Sequence, residues 1–108
     1  MQFAPEALTQ LQVLEQRIAD AGAPVAGARY VDAIVDYCLK LQIFPERGVS
    51  REDLIPGLRI THFRKRAIIA YIVDSAHVSI VGVFYGGQDY ESALNPDDDR
   101  RLPPQTAD

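Results

Sequence analysis

The chain has 108 residues, 47% hydrophobic and 24% charged, with a formal net charge of −4 at pH 7. That length suits one small domain with a single core and little surplus stability, and no apolar run approaches the roughly 20 residues of a membrane helix. One cysteine excludes an internal disulfide framework, two histidines make a protein-only metal site improbable, and the N-terminus MQFAPEAL lacks the basic start and apolar core of a secretory signal. The expectation is a cytoplasmic protein with no membrane attachment, no metal and no cofactor.

Residues 1–4 read as a short edge strand clipped by Pro5. Pro5 suits the first turn of a helix, where its missing N–H costs nothing, and Glu6 suits the positive helix N-terminus. Leu8, Leu11, Leu14 and Ile18 recur at helical spacing as far as Ala21, with Val13 off the stripe. Gly22 then caps this helix and Pro24 opens the next. The second helix covers residues 25–42, with a stripe of Val31, Ile34, Val35, Cys38 and Leu41 and with Asp32, Asp36 and Lys40 outside it. So short a turn between two amphipathic helices predicts an antiparallel hairpin. Cys38 lies on the stripe as a core thiol, with no histidine nearby in sequence to activate it. Tyr30 and Tyr37, at the stripe's edge, suit packing with a wet hydroxyl.

Residues 43–56 (IFPERGVSREDLIP) form a punctuated loop. Phe44 and Pro45 are expected to close the base of the helical hairpin, and Ser50 to Asp53 to form one helical turn with capping-box spacing. Three consecutive antiparallel strands follow. Residues 59–63 alternate, with Ile60 and His62 on one face and Thr61 and Phe63 on the other. Residues 67–73 (AIIAYIV) are nearly continuous in apolar character, as in a central strand buried on both faces. Residues 78–85 (VSIVGVFY) are β-branched and aromatic. Arg64-Lys65-Arg66 and Asp74-Ser75-Ala76-His77 are short polar links that suit hairpins. Residues 90–94 add a helical turn, and the acidic, Pro-rich residues 95–108 read as a flexible tail. The expected fold is α+β: a two-layer sandwich of a helical hairpin on a small antiparallel sheet, ordered β-α-α-β-β-β, within a domain of residues 1–94.

Residues 95–108 hold four acids and two arginines, so residues 1–94 carry about −2. Against that mild background Arg59, Arg64, Lys65 and Arg66 make a local positive patch. The overall balance argues against a generic nucleic-acid coat, because nonspecific binding is driven by phosphate neutralisation. The patch is either a solvated hairpin edge, where charge discourages strand-to-strand aggregation, or a contact surface. His62 and His77 have no acid at triad-like placement. Gly86-Gly87 lacks the continuation of a phosphate loop and suits a turn or bulge. Glu46 and Asp89 are the surface acids expected to pair with nearby arginines, contributing little.

Four stretches in order, the helix-to-loop stretch ARYVDAIVDYCLKLQIFPERG (28–48), PGLR (56–59), AYIVD (70–74) and FYGGQDYESAL (84–94) with its closing turn, make the chain resemble a ParE-type toxin of the RelE/ParE superfamily of bacterial toxin–antitoxin operons. The resemblance covers about residues 1–94. It implies a cytoplasmic toxin neutralised by a cognate ParD-like antitoxin. ParE-type members are associated with inhibition of DNA gyrase, and RelE-type members with cleavage of messenger RNA on the ribosome; the shared fold does not choose between them. A metal-free ribonuclease needs a base, cations over the scissile phosphate and a proton donor. The positions where RelE-type enzymes carry sheet and post-strand arginines fall near Ile68 and at Gln88, so both cations are missing. Lys65 and Arg66 lie in a turn, and Tyr90 matches the C-terminal tyrosine of those enzymes at a different spacing.

The expected function is therefore a gyrase-binding toxin that is not an enzyme, without direct sequence-specific nucleic-acid binding. Its target-facing surface would be Arg59, Arg64, Lys65, Arg66, Tyr85 and Gln88. Alternatives are a ribosome-dependent ribonuclease built on Lys65, Arg66 and Tyr90, or a non-toxic corepressor partner of an antitoxin. By resemblance, the antitoxin would lay an amphipathic helix beside the helical hairpin and a strand along the sheet edge, near Val13 and Phe3. Two departures from many family members stand out: Phe84-Tyr85 ends the last strand where a histidine is common, and the first strand looks truncated.

Overall fold

The computed structural model describes residues 1–75 and 77–94; Ala76 and the presumed tail, residues 95–108, lie outside the described residues. In chain order the elements are β1 (Gln2–Phe3), α1 (Pro5–Asp20), α2 (Pro24–Leu41), β2 (Val49–Ser50), β3 (Leu58–Phe63), β4 (Ala67–Asp74), β5 (His77–Tyr85) and α3 (Tyr90–Leu94). Prolines open both long helices as their sequence suggests, and Gly22 supplies the left-handed residue (φ 98°) that ends the first. The helices turn back on each other. Gly27 lets them approach closely, since a Cβ there would sit 3.0 Å from the Glu15 carbonyl oxygen.

The strands form one five-stranded sheet ordered β1-β5-β4-β3-β2. All neighbours are antiparallel except β1, which runs parallel to β5 through Gln2–Ser79 and Phe3–Ile80 pairs. The sheet is thus mixed, with β4 at its centre. Between Ala70 and Tyr71 the β4–β5 register shifts, so that Ala70 faces Gly82 while Tyr71 faces Ile80. Gly82 is required there: a Cβ would come within 2.6 Å of the Phe84 ring.

The helical hairpin covers one sheet face. Ala7, Leu11, Leu14, Ile34, Cys38 and Leu41 from the helices meet Phe63, Ile69, Tyr71, Val78, Ile80 and Val83 from the strands, all buried. Leu8 does not belong to this core and is 49% exposed. Ala7, four residues before Leu11 and seven before Leu14, takes the facing position and turns Leu8 outward. On the opposite sheet face Leu58, Ile60, Ala70 and Phe84 form a second, smaller core, roofed by Leu54 and Ile55 from the loop and by Tyr90 and Leu94 from α3. Strand β4 is therefore buried from both sides, as its continuous apolar run predicts.

The connection between α2 and β3 departs from expectation. Ser50 does not cap a helical turn. It pairs with Arg59 in strand β2, and the Arg51 N–H donates to the Leu58 carbonyl at 2.8 Å. A residue whose backbone serves the ladder is not free to cap a helix. The turn lies further on, held where Glu52 Oε2 accepts the Gly57 N–H at 3.2 Å. Nor does Phe44 close the helical hairpin, being 58% exposed. That closure falls to the fully buried Tyr71, whose hydroxyl donates to the Pro45 carbonyl and accepts the Gly48 N–H, both at 2.9 Å. The final turn, α3, is capped by Asp89, which accepts the Ser92 N–H at 3.1 Å and its hydroxyl at 2.6 Å.

Candidate functional site: a cationic hairpin over an aromatic cluster

The link between β3 and β4 is the three residues Arg64–Arg66 between the paired Phe63 and Ala67, closed by the Arg66 N–H donating to the Phe63 carbonyl at 3.2 Å. Its first two residues, Arg64 and Lys65, both have left-handed backbone (φ 52° and 63°). Two consecutive left-handed residues in a hairpin link are what Asn-Gly normally supplies. A bulky cation at each position is uncommon and strained. The Arg64 guanidinium lies 4.9 Å from the centre of the Phe63 ring. Phe63 meets Tyr30 and Tyr37 edge-on at 5.7 and 5.3 Å, and Tyr30 meets Tyr85 edge-on at 5.7 Å. The hairpin thus rides on four aromatic rings from β3, α2 and β5. Burial, aided by Tyr85, raises the Tyr30 pKa against the opposing pull of Arg64 and Arg66. Its hydroxyl is buried without a hydrogen-bond partner.

Two open grooves flank the Tyr30–Tyr85 pair. One, of about 710 Å³, runs between the start of α2 and the hairpin, lined by Val25, Ala26, Arg29, Tyr30, Ala33 and Arg64. The other, about 110 Å³, lies between α1 and the end of β5 and includes Val13, Arg17, Val83, Tyr85 and Gln88.

The structure brings most of the sequence-predicted target residues together. Arg64, Lys65 and Arg66 form the hairpin; the Gly86 N–H donates to the Arg66 carbonyl at 3.0 Å, and Gln88 Oε1 accepts the Tyr85 N–H at 2.8 Å, which places Tyr85 and Gln88 beside it. Arg59 does not join them. It lies five residues from Arg64 along an extended strand, roughly 16 Å away. There its guanidinium donates to the Glu46 and Gly48 carbonyls at 3.1 and 2.5 Å, so it pins the loop after α2. Val13 is 52% exposed and shares the groove of Tyr85 and Gln88, so two surfaces expected to be separate meet in one place. Phe3 sits in edge strand β1, half-buried against the helix-side core. Two groove residues, Arg17 and Arg29, escape sequence reading. Each lies on the polar side of its helix, and only the docking of the hairpin shows that both sit at the same end as Arg64.

Tyr90 is held elsewhere. Its hydroxyl accepts from Arg51 Nη1 at 2.7 Å, and its ring packs on Phe84 at 6.3 Å on the far sheet face. Arg51 also pairs with Asp53 and Glu91 at 2.8 and 2.7 Å, and its hydrogen bond holds the Asp53 carboxyl below the usual range. The arginine ion pairs thus centre on Arg51, while Glu46 lends Arg59 its backbone carbonyl. Cys38 is a core thiol, its pKa pushed up to about 12 by burial. Among the described residues no group of three or more His, Cys, Asp or Glu is placed to hold a metal. No described helix is long and apolar enough to cross a membrane.

A helical hairpin on a small five-stranded sheet, with a cationic turn set on aromatic rings, defines an α+β domain whose most distinctive surface is cationic. The family described as ParE toxin of type II toxin-antitoxin system, parDE, matches residues 1–90, and the chain belongs to it. The sequence resemblance is thereby borne out. The chain is also similar in fold to a solved structure titled "Chromosomal ParDE TA system from P. aeruginosa", at 17% identity and a TM-score of 0.67, over 79% of this chain and 92% of that one. No curated protein matches the sequence.

Proposed function

We propose that this chain is the toxin of a ParDE-type pair, acts in the cytoplasm by binding DNA gyrase and blocking replication, and is neutralised by a cognate ParD-like antitoxin. Membership of the ParE toxin family supports the toxin and antitoxin parts of the reading. The observation that carries the target surface is the hairpin: two cations occupy left-handed positions where Asn-Gly would be less strained. Strain retained at an exposed turn, with no core to justify it, suggests a use for the side chains. Arg64, Lys65 and Arg66, with Tyr85 and Gln88, are the proposed target-facing residues. The groove holding Val13 is the proposed seat of an antitoxin helix, and the open edge at Phe3 that of its strand.

The test is brief induction without antitoxin, followed by labelled thymidine and amino-acid incorporation and then a gyrase supercoiling assay. Early loss of thymidine incorporation with translation intact supports the reading. Early loss of amino-acid incorporation replaces it with the ribonuclease reading, and no change in either with the corepressor reading. Arg64→Glu with Arg66→Glu should relieve toxicity while leaving the circular dichroism spectrum of the domain unchanged.

A further inference from the structure

Five cations converge on one end of the molecule: Arg64, Lys65 and Arg66 on the hairpin, Arg29 across one groove and Arg17 beside the other. Among the described residues the ion pairs all involve Arg51, and none of these five pairs with a described carboxylate. Among the described residues neither groove is lined by an acid. Residues 1–94 sum to about −2, so the rest of the domain carries about −7 once these five are set aside. The five cations thus make this end positive against a remainder that is acidic in sum.

The chemistry of these cations favours phosphate. The hairpin side chains are exposed, and an exposed cation gains little from an isolated carboxylate, typically 0–1 kcal/mol. Duplex DNA is different, because neutralising its phosphates releases condensed counterions, and this gain does not require burial of the cation. Arg64 is also held in place by the Phe63 ring, and the turn beneath it is closed by a backbone hydrogen bond. A positioned guanidinium loses less freedom on meeting a phosphate than a mobile one.

We propose that the hairpin end grips the phosphate backbone of duplex DNA, so that the toxin contacts the DNA its target holds as well as the target itself. The inference rests on the gyrase reading for its setting. Contact with backbone and not bases makes it independent of sequence, and the acidic remainder confines it to one end.

The experiment is fluorescence anisotropy of a labelled duplex of about 20 base pairs with the purified full-length toxin, titrated across salt from about 50 mM. The expected slope of log affinity against log salt is about −3 to −4.5, from three to five phosphates neutralised. Arg64→Asn with Lys65→Gly should flatten it by about 2, whereas Lys40→Gln, at the far end of α2, should leave it unchanged. Absence of binding at low salt overturns the proposal, as does an unchanged slope in the hairpin variant. So does displacement of the duplex by polyglutamate as effectively as by unlabelled duplex at equal charge, which would assign the surface to an acidic protein segment. Inhibition of gyrase without duplex binding removes the DNA contact and leaves the gyrase reading standing. Duplex binding with the expected slopes but no inhibition of gyrase does the reverse.

Discussion

The turn at Arg64-Lys65 offers a test in which stability and charge are separated. Lys65 has φ 63°, a conformation that costs an L-residue with a Cβ roughly 1–2 kcal/mol and glycine nothing. Its side chain is exposed and takes part in no ion pair among the described residues. Lys65→Gly removes the strain, and the greater freedom of glycine in the unfolded chain takes back about 0.4–1 kcal/mol. The net is a gain of about 0.5–1 kcal/mol. For a domain of this size that corresponds to a rise in Tm of about 2–8 °C. Lys65→Ala removes the same charge but keeps the Cβ and the strain, so it should leave Tm nearly unchanged. Thermal unfolding of both variants beside the parent, followed by circular dichroism, makes the comparison. If Lys65→Gly melts below the parent, or if alanine stabilises as much as glycine, the strain argument is wrong and the hairpin loses its claim to be a retained functional feature. If the reasoning holds, Lys65→Gly is more stable and less potent, a combination that loss of folding cannot produce.

Other expectations follow from the interior. Tyr71→Phe leaves the Gly48 N–H and the Pro45 carbonyl without their partner and should cost about 2–4 kcal/mol in urea denaturation; a loss below about 0.5 kcal/mol would mean that water replaces the hydroxyl. Gly48→Ala would press a Cβ to 2.5 Å from the Ile60 carbonyl oxygen and should destabilise by about 1–3 kcal/mol in the same assay. The Cys38 thiol, with its pKa raised from 9.0 to about 12, should resist Ellman's reagent in the native state at pH 8 and react on unfolding. Because the folded state holds this proton more tightly than the unfolded one, the Cys38 contribution to stability is complete below pH 9.0 and is lost as pH rises toward about 12. Cys38→Ser should abolish that part of the alkaline decline. Arg51→Ala cuts the ties from Asp53 to Tyr90 and Glu91, so hydrogen exchange at the Ala93 amide should quicken while amides of β4 stay protected.

Much of this architecture is legible in the chain because its causes are local. Pro5 and Pro24 suit the first turn of the helical patterns that follow them, a period of three to four apolar residues makes an amphipathic helix, and the AIIAYIV run with short polar links on either side suits a central strand in a meander. Those features, with the order of segments, suffice for the two-layer α+β fold and for the family. What the sequence does not disclose depends on contacts between residues far apart along the chain. Strand β2 is only two residues long and carries no strand pattern of its own; it exists because Arg59 and Tyr71 anchor the loop just before it. The phase of α1 puts Ala7 and not Leu8 inward, a choice made by docking on β5, since both positions satisfy helical spacing. Arg59 reads as one member of a basic cluster because sequence distance is short, whereas an extended strand carries it to the opposite end of the sheet. Arg17 and Arg29 read as ordinary polar-face residues, and only the packing of the helical hairpin across the sheet gathers them beside Arg64. Periodicity and turn chemistry are properties of a few neighbouring residues and survive in the sequence alone. The composition of a surface is a property of which elements meet, and that is decided by tertiary packing.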